Sequence, residues 1–147
     1  MTDQFAVRLV DSDADLAAIA PVLLQLRPQY TRESLVARIR MQQRDAGYHV
    51  ACAFMDGRPA CIAGFVINEK LAWGRHLYVD DLVTDENTRS RGAGKAMIDW
   101  LKSFSRAAGC TQLHLDSGMH RTDAHRFYDR EGFGRNSIHF AITDLGD

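Results

Sequence analysis

The chain has 147 residues, of which 46% are hydrophobic and 25% charged, a composition typical of one globular domain that spans residues 1–147. Its net charge of −1 excludes a general attraction to nucleic acid or to an anionic membrane, so any anion site must arise from a local arrangement. The apolar runs are too short for a membrane span, no signal-peptide pattern opens the chain, and three cysteines without CxxC spacing favour a reducing, cytoplasmic setting.

The first third of the sequence predicts a strand and two helices. Residues 5–10 alternate apolar and polar side chains, as a strand does. Three polar residues at 11–13 offer N-cap oxygens for a helix that Pro28 stops. Thr31 caps a second helix, and Gly47 follows its end.

The middle of the sequence predicts antiparallel strands. Residues 48–55 and 59–67 are joined by Asp56-Gly57, a strong two-residue hairpin signal. Residues 77–84, with the sequence LYVDDLVT, form the next predicted strand.

The last third predicts an alternation of helices and strands. A helix over residues 93–108 ends at Gly109, a strand over 111–115 follows, then a helix over 122–131 and a strand over 137–143. The order of elements predicts a mixed α/β fold, with one twisted central sheet of six to seven strands flanked by about four helices.

The loop between the strand at 77–84 and the next helix has the composition of an anion site. Gly92 and Gly94 allow close approach of the backbone, and Arg89, Arg91 and Lys95 add positive charge beside a helix N-terminus. Neither the Walker A spacing nor the dinucleotide-binding order of glycines is present. The alternative is an ordinary helix start with glycines for chain turning and solvated arginines.

Two motifs resemble a known family. The hexapeptide RSRGAG at residues 89–94 resembles the Q/R-x-x-G-x-G/A loop of the GNAT superfamily of N-acetyltransferases. The stretch AHRFYDREGF at residues 124–133 resembles the A-x-x-F-Y-x-x-x-G-F signature of the same superfamily. The two motifs stand in the family's order, and the second is most similar to aminoalkylphosphonate N-acetyltransferases.

The resemblance implies acetyl-CoA as cosubstrate. The backbone of Leu82, Val83 and Thr84 would bind the pantetheine arm as an added strand does. Ser117 and Phe127 would contact the cofactor farther along the chain. The pyrophosphate would be bound by the loop residues Arg89, Ser90, Arg91, Gly92, Ala93, Gly94 and Lys95.

The resemblance also implies direct attack of an amine on the thioester. An alkyl ammonium has a pKa of about 10 and must lose a proton first, which a carboxylate can accept. Asp80 and Asp81 are the candidates, and strand alternation predicts that the two do not serve equally. Resemblance to polyamine N-acetyltransferases favours Asp80, while the other aspartate is expected to bind a neighbouring element. Tyr128 would protonate the departing CoA thiolate, and His125 on the same helix face would relay protons or lie at the surface.

The remaining expectations concern partners. The predicted acceptor is a primary amine of a small molecule, and dimers are common in the superfamily, so a homodimer fits. A non-catalytic acyl-CoA-binding or regulatory domain and a protein or peptide N-acetyltransferase are the alternatives. No histidine or cysteine spacing matches a metal motif, so no metal site is predicted.

Overall fold

The structure is a computed structural model that describes residues 4–146, and the chain divides into two compact units, one ending at Leu115 and the other beginning at Asp116. The first unit holds five strands: β1 (Ala6–Val10), β2 (His49–Met55), β3 (Arg58–Lys70), β4 (Gly74–Thr84) and β5 (Gln112–Leu115). It also holds three α-helices: α1 (Asp13–Leu26), α2 (Arg32–Ala46) and α3 (Ala93–Ala107). The second unit holds α4 (Thr122–Arg130).

The five strands form one mixed sheet in the order β1-β2-β3-β4-β5. The first four strands pair antiparallel, whereas β5 pairs parallel to β4 because α3 carries the chain back across the sheet. The predicted sequence of antiparallel hairpins followed by a βαβ crossover is therefore present.

Each face of the sheet is covered by helices because adjacent strand residues point to opposite sides. On one face, α1 and α2 supply buried apolar side chains to a core that includes Val50 and Ile62 of the sheet. On the other face, Phe65 packs against α3, with its ring centroid 5.5 Å from that of Phe104 and 6.3 Å from that of Trp100.

The helix ends follow the local sequence. The Ser12 side chain caps α1 by accepting a hydrogen bond from the Asp15 amide at 3.1 Å. Thr31 caps α2, and the Ser34 hydroxyl accepts from the Thr31 amide at 2.9 Å. Ser34 thereby completes a capping box although the sequence lacks the acidic residue usual at that position.

The prediction of six to seven strands is wrong for the described residues, which contain five. The predicted strand over residues 137–143 belongs to a segment without strand structure, and its alternating apolar side chains Ile138, Phe140 and Ile142 are 66–88% exposed. Alternation states which side chains share a face, but a strand also needs a hydrogen-bonding neighbour, and no described residue provides one here.

The three cysteines are free and buried. Burial raises the pKa of the thiols of Cys52 and Cys61 to about 12, so neither forms the thiolate that nucleophilic catalysis requires near neutral pH. None of the helices within residues 4–146 is both long enough and apolar enough to cross a membrane.

Candidate active site

The strand β4 contains a β-bulge at Asp80. Gly64 of β3 aligns with Asp81 and the next residue, Phe65, aligns with Val79, so Asp80 is the extra residue of β4. The parallel ladder between β4 and β5 ends at Val79, opposite Leu115. Beyond that point β4 continues to Thr84 with a described strand neighbour on the β3 side only.

The two aspartates of β4 differ in their surroundings. The Asp80 side chain is exposed, whereas the Asp81 carboxylate is 17% exposed. Arg27 donates from Nε to Asp81 Oδ1 at 2.8 Å, and Tyr48 donates from its hydroxyl to Oδ2 at 2.6 Å. Both oxygens of Asp81 are thus engaged by other elements of the fold.

Tyr48 is a permanent donor in this arrangement. Burial, followed by the negative charge of Asp81 and the hydrogen bond to it, raises the pKa of the Tyr48 phenol far above its usual range. The hydroxyl therefore stays protonated at every pH at which the protein would be assayed, and Asp81 accepts its hydrogen bond.

Gly64 makes room for that hydroxyl. A Cβ atom built on Gly64 would lie 1.6 Å from the Tyr48 hydroxyl oxygen, a separation that no side chain can tolerate. Glycine weakens a strand, so its position inside β3 marks a close approach between two parts of the chain.

We expect Gly64→Ala to lower the free energy of unfolding by about 1–3 kcal/mol, the usual cost of overpacking a core. The added methyl group must expel the Tyr48 hydroxyl from Asp81. Urea denaturation measures this change. Ala63→Gly, which removes a methyl group from the adjacent buried position, is the matched control. The ring carbon that bears the hydroxyl would also lie 2.3 Å from the added Cβ, so the whole Tyr48 side chain must be shortened to relieve the clash. If Gly64→Ala destabilises a Tyr48→Ala background as much as it destabilises the wild type, Tyr48 is not the source of the clash.

The end of α1 also anchors the chain after β4. The Gln25 side chain donates to the Asp85 carboxylate at 2.9 Å and accepts from the Glu86 amide at 3.0 Å. Because Arg27 follows Gln25 closely, one short segment contacts both the bulge and the entry to the loop. The strand end is therefore held by side chains as well as by the ladder to β3.

The loop 89–95 combines two left-handed residues with a helix that lacks a side-chain cap. Ser90 has φ of 66° and Gly92 has φ of 95°. Gly92 is the N-cap of α3, and no side chain within residues 4–146 caps that end, unlike the N-termini of α1 and α2. The next residue, Ala93, is buried, whereas Arg89 and Arg91 are exposed. This arrangement leaves the positive end of the α3 dipole facing an exposed, arginine-bearing loop.

The other predicted site residues lie in the second unit. Tyr128 and Phe127 are half-buried in α4, and the ring centroid of Tyr128 lies 5.7 Å from that of Phe133. The Ser117 hydroxyl is buried and has no hydrogen-bond partner among the described residues. His125 is the residue expected to relay protons or lie at the surface. Its ring nitrogen Nε2 lies 2.8 Å from the Gly118 carbonyl oxygen, so this nitrogen already has a hydrogen-bond partner.

Residues 17–133 match the sequence pattern of the acetyltransferase (GNAT) family, which covers well over half of the chain. The chain belongs to the GNAT family of acetyltransferases. The enzyme is therefore an N-acetyltransferase of this family, as the two motifs predicted.

Two relatives illustrate the range of the family. The uncharacterized N-acetyltransferase YhdJ of Bacillus subtilis is 30% identical over 135 residues, which cover 91% of this chain and 95% of YhdJ. An aminoalkylphosphonate N-acetyltransferase of Salmonella typhimurium is 34% identical over 65 residues, which cover 44% of this chain and 41% of that protein. The resemblance to aminoalkylphosphonate N-acetyltransferases thus holds over less than half of the chain.

A solved structure of the aminoglycoside N-acetyltransferase AAC(6')-Iy in complex with CoA shares the fold. It has a TM-score of 0.83 and 16% sequence identity, and the match covers 99% of this chain and 98% of that protein. At this identity the likeness shows the GNAT fold alone.

Three residues near the bulge of this acetyltransferase were not predicted as site residues. Tyr48 carries no separate signal, since an aromatic residue at the start of a strand usually indicates core. Arg27 carries no separate signal either, since nothing in its local sequence indicates that it pairs with Asp81. Gly64 does carry a signal, because a glycine inside a predicted strand indicates close approach of another group.

Trp73 packs within a cluster of aromatic and imidazole rings. Its centroid lies 3.6 Å from that of His114 in a stacked arrangement and 5.0 Å from that of His76. Lys70 Nζ lies 4.3 Å above the Trp73 ring. In the part of the chain that the structure describes, no three His, Cys, Asp or Glu side chains form a group that would bind a metal ion.

Proposed function

We propose that this acetyltransferase transfers the acetyl group of acetyl-CoA to a primary amine of a small molecule by direct attack. The proposal depends on two features of the first unit that follow one another along the chain: a stretch of β4 beyond its pairing with β5 and the start of α3. The β4–β5 ladder stops at Val79, and the strand then leads into a loop from which α3 starts without a side-chain cap. Both features suit a thioester carrier, since its amide-bearing arm can pair with a strand and its pyrophosphate can bind exposed amides.

Leu82, Val83 and Thr84 are the proposed contacts for the pantetheine arm. They stand on β4 beyond the end of the ladder to β5, with side chains that are half-buried. The loop 89–95 is the proposed pyrophosphate site, as its two left-handed residues and its arginines support. The unpartnered hydroxyl of Ser117 supports its proposed contact to the cofactor.

Asp80 is the proposed general base. Its position at the bulge and its exposed side chain support this role. A carboxylate that accepts the ammonium proton also attracts the cationic acceptor before the reaction. Tyr128 is the proposed acid for the thiolate, since a phenol with a reference pKa of about 10 stays protonated near neutral pH.

Release of free CoA thiol from acetyl-CoA tests the proposal. The panel contains aminoalkylphosphonates, polyamines, amino sugars, amino acids and peptides with free N-termini or lysines. Release with a small amine supports the proposal, and release with peptides alone favours a protein N-acetyltransferase. If CoA binds but no amine causes release, the chain is an acyl-CoA-binding domain.

We expect Tyr128→Phe to lower kcat by about 10²-fold, the lower end of the effect of general acid catalysis, with KM for acetyl-CoA nearly unchanged. The ring contacts with Phe127 and Phe133 survive the substitution, so the change isolates the hydroxyl. Steady-state kinetics with the best amine of the panel measures it. Tyr30→Phe removes a phenol hydroxyl elsewhere and serves as control. An unchanged kcat in Tyr128→Phe would remove this residue from the acid role.

A further inference from the structure

Side chains from other elements of the first unit contact the bulge of β4 and its neighbour Asp81. Asp80 is the extra residue of β4, and it directly follows the last residue that pairs with β5. A bulge breaks the ladder locally, so the ladder alone does not determine the direction of a residue within it. Other contacts must hold Asp80 in a defined position.

Arg27 contacts both residues of the aspartate pair. Its Nε donates to the Asp81 carboxylate at 2.8 Å, and its Nη2 donates to the Asp80 carbonyl oxygen at 3.2 Å. A guanidinium group can do this because its donors are fixed in a planar fork. One side chain from the end of α1 therefore holds the main chain of Asp80 relative to the side chain of Asp81.

Tyr48 holds the other side of Asp81. Its hydroxyl donates to Oδ2 at 2.6 Å, and its side chain is 5% exposed. The hydroxyl reaches Asp81 only because Gly64, the ladder partner of Asp81, has no side chain. The arrangement therefore has three parts: the buried Tyr48 hydroxyl donates, Asp81 accepts, and Gly64 leaves the space that lets them meet.

We infer that Arg27 and Tyr48 are positioning residues for acetyl transfer: by holding Asp81 they hold the bulge that presents Asp80 to the acceptor amine. The inference rests on the proposed function, in which Asp80 is the base. Asp81 is thereby assigned to the support of the site and takes no proton from the substrate. The contact spans elements far apart in sequence, since Arg27 and Asp81 are 54 positions apart and Tyr48 and Asp81 are 33 apart.

The variants Tyr48→Phe and Arg27→Gln test the inference through two measurements. Tyr48→Phe removes only the hydroxyl, and Arg27→Gln removes the fork and its charge. Leu101→Ala is the control, because it removes a fully buried side chain from α3, on the other face of the sheet. All variants are compared at the same number of degrees below their own melting temperatures, so that a general loss of stability affects them equally.

The first measurement is hydrogen–deuterium exchange of the backbone amides at residues 79–83, without any ligand. We expect exchange to accelerate about tenfold in Tyr48→Phe and Arg27→Gln but not in Leu101→Ala, because the bulge loses its support locally. Equal exchange in all variants overturns the inference. This measurement does not use activity, so its outcome can contradict the inference without contradicting the proposed function.

The second measurement is the kinetics of CoA release with an aminoalkylphosphonate or the better amine from the panel. We expect Tyr48→Phe and Arg27→Gln to lower kcat by about 10–10²-fold through misplacement of the base, with KM for acetyl-CoA within about twofold. Arg27→Lys, which restores the charge without the planar fork, should recover part of kcat. A kcat equal to that of Leu101→Ala overturns the inference, even where exchange is accelerated.

Discussion

Gly92→Glu abolishes measurable binding of acetyl-CoA, with an expected loss of affinity of at least about 100-fold, or roughly 2.7 kcal/mol. Gly92 begins α3 at the point where a pyrophosphate would meet the helix amides. A glutamate there places a side chain in the path of the ligand and a negative charge beside its phosphates. Isothermal titration with CoA measures the loss.

The fold is expected to survive this substitution. Among the described residues, a Cβ on Gly92 would meet within 4 Å only the Phe5 ring, at 3.7 Å, which is ordinary van der Waals contact. The left-handed φ of 95° costs a residue with a side chain about 1–2 kcal/mol. Circular dichroism and the melting temperature separate that cost from lost binding.

Gly74→Glu is the matched control. Gly74 begins β4, at the end of that strand opposite the loop 89–95, has φ of 66°, and a Cβ built on it would meet no described atom within 4 Å. The control therefore adds a similar backbone strain and the same charge at the other end of the strand. Gly92→Ala adds strain without charge and should lose less affinity than Gly92→Glu. Normal CoA binding by Gly92→Glu would contradict the assignment of the pyrophosphate site.

Asp80→Asn lowers kcat by an expected 10²- to 10⁴-fold, the usual contribution of a positioned general base. The amide keeps the size of the side chain but cannot accept a proton. Since a base acts only when deprotonated, the wild-type rate falls as pH drops through the pKa of that group. In Asp80→Asn this acid limb should disappear, leaving a rise with pH that follows the free-amine fraction, whose pKa is about 10.

Asp81→Asn is the contrasting variant. It removes the charge that pairs with Arg27 and turns an amide NH2 toward either Arg27 or the buried Tyr48 hydroxyl, so the expected loss in free energy of unfolding is about 1–3 kcal/mol. The acid limb of the pH profile should remain, with a smaller loss of kcat that reflects a displaced bulge. If Asp81→Asn removes the acid limb and Asp80→Asn retains it, the two roles must be exchanged.

Local signals account for most of the secondary structure. The side-chain cap at Ser12, the Asp56-Gly57 turn and the glycine after α2 each act over a few residues, so their outcome can be predicted from neighbours in sequence. Strands are longer than predicted where backbone pairing continues past the alternation of side chains. The strand β3 ends at Lys70 rather than at residue 67, and β4 begins at Gly74 rather than at residue 77. Residues 68–70 of β3 pair with residues 74–76 of β4 and lengthen the hairpin. This pairing uses backbone groups of the neighbouring strand and does not depend on which side chains are present.

The last predicted strand shows the limit of the same reasoning. Residues 137–143 have the alternation of a half-buried strand, yet the segment forms no ladder with any described residue and exposes its apolar side chains. The alternation is a property of the segment itself, whereas pairing depends on an edge offered by another part of the chain.

The sequence by itself determined the family, the loop at 89–95 and the presence of two adjacent carboxylates, because these are patterns of contiguous residues. Only the tertiary structure decided how those carboxylates differ. The bulge at Asp80 depends on the register of β3, and the engagement of Asp81 depends on Arg27 and Tyr48, which come from distant parts of the chain. Contacts of this kind form only when α1, β2 and β4 have packed together, and no spacing along the chain encodes them.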